Sequence, residues 1–238
     1  MQTHRPHPLP ALLPALLPAL LLSFGLAVCS PASQAAQLQI TVLGLDGKPA
    51  ANVVVQALPA AAWAPQPLPG PLEIAQQNIR FEPYVSVVPV GATVRFVNRD
   101  RFDHHVRSQP GGPLGNVPPA QQFEYRMAAV KSNGTAATAD VKLDVPGTIA
   151  LGCHLHGSMR GHVLISSTPW AGVSDEKGQI TLANVPDGQL DLKPWHPDQL
   201  SDQPVTRLQA SGSSQAELKI NLTPRRRPPP PPSNAYAN

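Results

Sequence analysis

The sequence has little of the material from which helical or strongly charged proteins are built: aromatic residues make up 5% of its 238 positions and charged residues 14%. With thirty prolines alongside, this argues against long charged helices and for short strands joined by many turns. Excess charge of one sign is missing as well. The formal +3 owes much to Arg225, Arg226 and Arg227, which sit together near the C-terminus. Without that tail and the N-terminal leader, acidic and basic side chains nearly cancel, so nucleic-acid binding has no electrostatic footprint. Cysteine is scarcest. There are two, Cys29 and Cys153, and the first lies in the leader. A single remaining cysteine makes no internal disulfide, so Cys153 is a buried passenger, an exposed liability or a ligand.

The start reads as an export signal covering residues 1–36. Arg5 opens a weakly cationic segment, residues 9–28 are almost wholly apolar, and Ser33-Gln34-Ala35 offers small residues at the −3 and −1 positions of a cleavage site. A retained anchor is the competing reading, weakened by Pro10, Pro14 and Pro18, each of which removes a helix hydrogen bond. Leu26-Ala27-Val28-Cys29 resembles a lipoprotein cleavage box, but Val28 is bulky for its place. The expected location is periplasmic or otherwise exported, with membrane association only if the leader is retained or lipidated.

Beyond the leader, every segment with a period reads as a strand and none as a helix. Strands are expected at 38–43, 51–58, 79–90, 93–98, 141–143, 148–151, 161–166, 179–182, 189–192 and 216–222. Turns fall at Asp46-Gly47-Lys48-Pro49, Pro146-Gly147, Asp175-Glu176-Lys177-Gly178 and Val185-Pro186-Asp187-Gly188. Residues 59–71, rich in Ala and Pro, read as a linker, and 223–238 as a disordered basic, proline-rich tail. Leu43-Gly44-Leu45-Asp46-Gly47-Lys48-Pro49 with Val53-Val54-Val55 resembles the opening of a carboxypeptidase-regulatory-like sandwich. Residues 174–188 are similar to its later half. The resemblance implies one small β-sandwich, 37–71 and 168–222, split by a domain inserted at 72–167. The alternative is that the flanks are unrelated strand extensions.

Chemistry concentrates in Gly152-Cys153-His154-Leu155-His156-Gly157-Ser158-Met159, where a thiol, two imidazoles and a thioether share a short loop between two expected strands. Trigonal His₂Cys with a weak axial Met is the arrangement of blue-copper electron-transfer sites. Cys153, His156 and Met159 supply three such ligands at Cys-x-x-His-x-x-Met spacing, and the fourth must be a histidine from elsewhere. Asn98-Arg99-Asp100-Arg101-Phe102-Asp103-His104-His105-Val106 offers two.

Together these motifs resemble the cupredoxin family, the plastocyanins and amicyanins, over residues 72–167. In that family an Asn at a strand end precedes the first His ligand by six residues, which assigns the role to His104, with His105 the competing donor. His-His-Val, Gly-Cys-x-x-His-x-x-Met-x-Gly and Trp195-His196-Pro197 are similar to signatures of plastocyanin-like methylamine-utilisation proteins. The resemblance implies an all-β chain: a cupredoxin Greek-key β-sandwich inserted into or joined to a second small β-sandwich. It implies one type 1 copper held by His104, Cys153, His156 and Met159, and single-electron exchange with a redox protein such as a cytochrome or a dehydrogenase.

Other readings use the same residues. A copper-binding or copper-delivery protein without a redox partner shares the ligands, but Cu(I) carriers commonly use more Met and Cys than this chain has. A copper oxidase or nitrite reductase subunit needs further histidine ligands. Only His105, His154, His162 and His196 remain, two of them beside the ligands already assigned, so the chain is read as no enzyme. A binding module presenting Trp170 and Trp195 would not need Cys153. His154 is expected as a neighbour of the site or facing solvent, His162 and His196 as structural or surface residues. Asn98 is expected to tie the two ligand loops together, and Arg101, Arg107 and Arg160 to flank them.

Overall fold

The computed structural model describes residues 1–2 and 35–225. Almost all of the expected leader and of the expected tail lie outside the described residues, apart from residues 1–2, Ala35 and Ala36 of the leader and 223–225 of the tail. Among the described residues there is no helix, hence none long and apolar enough to cross a membrane.

The protein is all-β. Strands β1 (Ala35–Leu43) and β2 (Val54–Pro59) come first. A block of nine follows: β3 (Leu72–Gln77), β4 (Arg80–Glu82), β5 (Val85–Pro89), β6 (Thr93–Asn98), β7 (His104–Gln109), β8 (Glu124–Met127), β9 (Thr138–Lys142), β10 (Gly147–Gly152) and β11 (Arg160–Ser166). The chain ends with β12 (Ala171–Val173), β13 (Gln179–Pro186), β14 (Gly188–Trp195), β15 (Thr206–Ala210) and β16 (Ser213–Lys219).

These strands enclose two separate apolar cores. One gathers Leu38, Ile40 and Val42 of β1, Val55 and Ala57 of β2, and Ile180, Leu182, Leu190, Leu192 and Leu218 from the end of the chain. It lies between sheets ordered β13-β1-β16 and β12-β2-β14-β15. Alternation drives the assembly: Leu38, Ile40 and Val42 are buried while Gln37 and Gln39 are exposed, so one face of β1 is apolar. The second core joins Ile74, Phe81, Val94, Phe96, Val106, Met127, Ile149, Leu151, Val163 and Ile165. Its sheets run β5-β11-β10-β7-β8 and β4-β3-β6-β9. β11 pairs parallel to β5 and β3 parallel to β6, with antiparallel partners elsewhere in both sheets. A small third cluster, Val54, Val85 and Leu164 with Trp195 against it, closes the seam between the sandwiches.

Several strands differ from the sequence expectation. β3, β7, β8, β12 and β15 were not expected. β8 has the burial pattern of an edge strand with one residue inward, which leaves little alternation to detect. The second strand begins at Val54 rather than residue 51, because Asn52 adopts a left-handed φ of 62° that breaks an extended run. The expected turn at 185–188 shrinks to Asp187, since Val185 and Pro186 still pair with Ala36 and Ala35 of β1.

His196 follows β14 and is 2% exposed, with its Nδ1 accepting the Asp198 amide at 3.1 Å. Burial pushes its imidazole down to about 4, against a smaller upward pull from the Asp198 carboxylate. The unfolded chain therefore takes up a proton near pH 6.5 that the folded chain refuses until about pH 4. This contribution to stability is full above about pH 6.5 and is lost as pH falls toward 4. Denaturant midpoints measured across that window should fall less steeply for His196→Asn than for the parent protein; equal slopes would contradict the assignment.

Candidate metal centre

Strand order brings the two halves of the site together. β7 and β10 are antiparallel neighbours with Gly152 opposite Arg107. The first residue of β7, His104, and the residue after β10, Cys153, therefore emerge at the same end of the sheet. The return strand β11 starts at Arg160, which pairs with Gly152. Residues 153–159 are thus one closed loop holding Cys153, His156 and Met159 over the open end of the core, and the loop is tightened by Met159 N–H donating to the His156 carbonyl at 2.9 Å.

Three donor atoms converge there. His104 Nδ1 lies 3.1 Å from His156 Nδ1, and Cys153 Sγ lies 3.9 Å from the first and 3.7 Å from the second. A point in the plane of these atoms is about 2.1 Å from all three. That equals a metal–imidazole bond and is slightly shorter than a metal–thiolate bond of about 2.3 Å. The residues present fit a trigonal N₂S metal site. His104 is 0% exposed, Met159 1% and Cys153 4%, while His156 is only partly buried. Cys153 and Met159 belong to the same core cluster. Phe102 packs against both imidazoles, with ring centroids 5.1 Å from His104 and 5.4 Å from His156.

The choice between adjacent histidines follows from strand alternation. His104 points into the core, and His105 to the other face, beside Glu124 and His154. His105 still serves the site through its backbone, whose N–H reaches Cys153 Sγ at 3.3 Å. Burial raises the Cys153 thiol, but hydrogen bonds from His104, the His105 amide and His156 outweigh it and hold the group down to about 6. His104 shows the opposite balance. Burial lowers it, while Asp100 and Cys153 raise it further, for a net upward shift.

Asp100 is a residue of the candidate site that sequence reasoning missed. Its Oδ2 lies 2.8 Å from His104 Nε2, and the carboxylate accepts the amides of Asn78 and Ile79 at 2.8 and 3.2 Å. With Nε2 held by Asp100, Nδ1 is the ring atom turned toward Cys153 and His156, the carboxylate–histidine relation common behind metal ligands. The available signal was the i, i+4 placement of Asp100 before His104 within a loop. Asn98 behaves differently from expectation. Its Nδ2 lies 2.9, 3.1 and 2.9 Å from the carbonyls of Phe102, Met127 and Ala128, and its Oδ1 accepts the Asp100 amide. It ties the loop before His104 to the end of β8, and the bridge between the two candidate ligand segments is the His105 amide to Cys153 instead. His162 lies at the seam against Tyr84 and Trp195, and neither it nor His196 approaches the cluster.

No protein-family model matches the chain, and no curated protein is similar to it. Among solved structures, it is similar to a copper-containing nitrite reductase from Thermus scotoductus SA-01, at 23% identity and a TM-score of 0.35 over 47% of this chain. The chain spans 26% of that protein's length. A mutant of amicyanin in its reduced Cu(I) form matches at 23% identity and a TM-score of 0.31, over 48% of this chain and 99% of amicyanin. A purple cupredoxin from Nitrosopumilus maritimus matches at 19% identity and a TM-score of 0.32, over 40% of this chain and 99% of that one.

Asn98 is 0% exposed, so Asn98→Ala strands buried carbonyls without a donor. The expected cost is about 1–3 kcal/mol for each group left unsatisfied, read as a lower denaturant midpoint. A midpoint within error of the parent's would show that water replaces the amide at no cost.

Proposed function

We propose that the protein is an exported type 1 copper protein of the cupredoxin kind, which passes single electrons between redox partners. His104, Cys153 and His156 would hold one copper, with Met159 as a fourth, weaker donor. The observation that carries this reading is the triangle of His104 Nδ1, Cys153 Sγ and His156 Nδ1, with sides of 3.1, 3.7 and 3.9 Å. Copper so held supplies a one-electron couple, because thiolate favours Cu(I) while imidazole tolerates both oxidation states.

The chain's own residues do the rest. Asp100 fixes the orientation of the His104 ring, and the β7–β10 pairing fixes the separation of the two ligand segments. A frame held from several directions resists rearrangement, which keeps the cost of electron exchange low. The His105 amide on Cys153 Sγ withdraws negative charge from the sulfur. Phe102 and the buried side of the loop restrict water, leaving the partly buried His156 as the edge nearest solvent. The site so built carries an electron and needs no substrate pocket. Export is supported by the leader pattern, and the domain division by the two cores.

Cu(II) added to the purified protein should give an intense visible thiolate-to-copper band and a narrow-hyperfine spin-resonance signal, reversibly lost on reduction. Cys153→Ser should abolish both. A colourless protein that holds only Cu(I) would favour copper delivery.

Arg101 and Arg160 are exposed beside the ligand segments, whereas Arg107 is half-buried with its Nε enclosed. An acidic redox partner would meet the first two. Arg101→Glu with Arg160→Glu should slow electron transfer at low ionic strength and flatten its salt dependence. Transfer at the parent rate would remove this face from the docking reading.

A further inference from the structure

Three residues outside the first site form a second cluster of ligating groups. His105 leaves the outer face of β7, Glu124 opens the neighbouring strand β8, and His154 sits on the loop after β10. Their donor atoms all lie within 4.8 Å of one another. Glu124 Oε1 is 3.4 Å from His105 Nδ1 and 3.1 Å from His154 Nε2, so one carboxylate oxygen faces both rings. The imidazoles stand edge to face, centroids 5.6 Å apart at 89°. We propose that His105, Glu124 and His154 form a second metal site, taking a divalent transition ion that prefers nitrogen and oxygen ligands.

Donor chemistry and rigidity support this. Two imidazoles and one carboxylate make a set suited to Zn(II), Cu(II) or Ni(II), with positions left for water. The separations already bring the three donors close enough that small side-chain rotations close a coordination sphere around one ion. Each donor comes from a different segment, and two of the segments are fixed. His105 is held by pairing opposite Arg126 and by its amide on Cys153 Sγ; Glu124 is paired opposite Arg107. Of the nearby arginines, Arg126 is turned to Asp103 at 2.7 Å, and Arg107, although opposite Glu124, forms no ion pair with it. A bound cation would replace two imidazole–carboxylate contacts on an exposed surface, where such contacts contribute little by themselves. The site stands on its own residues and does not require the first site to be a copper centre. The two are nonetheless one bond apart in sequence at both ends, His104 beside His105 and Cys153 beside His154.

Zn(II) titrated calorimetrically into the purified full chain tests the proposal. The parent should bind two equivalents, and Cys153→Ser should keep one of them in the micromolar range. In the Cys153→Ser background, His154→Ala and Glu124→Gln should each weaken that equivalent by more than the roughly 10–100-fold that loss of an outer-sphere partner costs. Circular dichroism identical to the parent's confirms that the exposed substitutions leave the fold intact. Binding only at millimolar Zn(II), or micromolar binding that survives both substitutions, would overturn the second site. Failure of the first reading is seen separately, as the absence of a blue band on Cu(II) addition to the parent.

Discussion

The arrangement of the site depends on one buried carboxylate. Asp100 is 8% exposed and accepts three hydrogen bonds, two from backbone amides of the turn after β3 and one from His104 Nε2. Burial works against its charge, and those hydrogen bonds more than offset it, holding the group below the usual carboxylate range. With Asp100 holding Nε2, the Nδ1 side of the His104 ring faces Cys153. Asp100 also fastens the loop before β7 to the opposite sheet, so the first ligand segment is anchored to both layers of the sandwich.

Cys153 is fixed by a different device. Its sulfur sits beside the His105 amide and the His104 and His156 rings, and these contacts together hold its pKa down. The backbone amide comes from His105, the residue whose side chain faces away. One histidine doublet thus contributes a ring to the centre and an amide to the sulfur. That works only if β7 keeps its register, because a slip of one residue exchanges the two faces.

The all-β class was legible because turn chemistry and alternation agree along most of the chain. The seven residues from Cys153 to Met159 stand out in the sequence because their chemistry is local in it. Strands with one buried residue, such as β8, were not legible, and neither was the extension of β14 through Trp195, where Pro194 interrupts the pattern a strand normally shows. Asp100 escaped because a carboxylate in a polar loop reads as solvated until the turn at Asn78 and Ile79 is folded onto it. The role given to Asn98 was misplaced for a related reason. Spacing along the chain identifies a residue tied to its surroundings, but which strand end supplies the carbonyls is a property of the sheet order, here the adjacency of β7 and β8.

What holds the β7 register also separates the two clusters of ligating groups. His104 opposes Met127 and Val106 opposes Tyr125, with His104, Val106 and Met127 all buried. Shifting the strand by one would drive His105 and Arg107 inward and put Val106 in water. Burying an unpaired cation costs several kcal/mol, far more than a single pairing step returns, so the alternative is suppressed. The same alternation then acts past the end of β10, where Cys153 is buried and His154 exposed. Two doublets, each split across the sheet by the two-residue period of an extended chain, send His104 and Cys153 inward, where His156 completes an N₂S set, and His105 and His154 outward, where Glu124 completes an N₂O set. The inward set is buried apart from the edge of His156. The outward set lies at the surface, with Glu124 and His154 exposed.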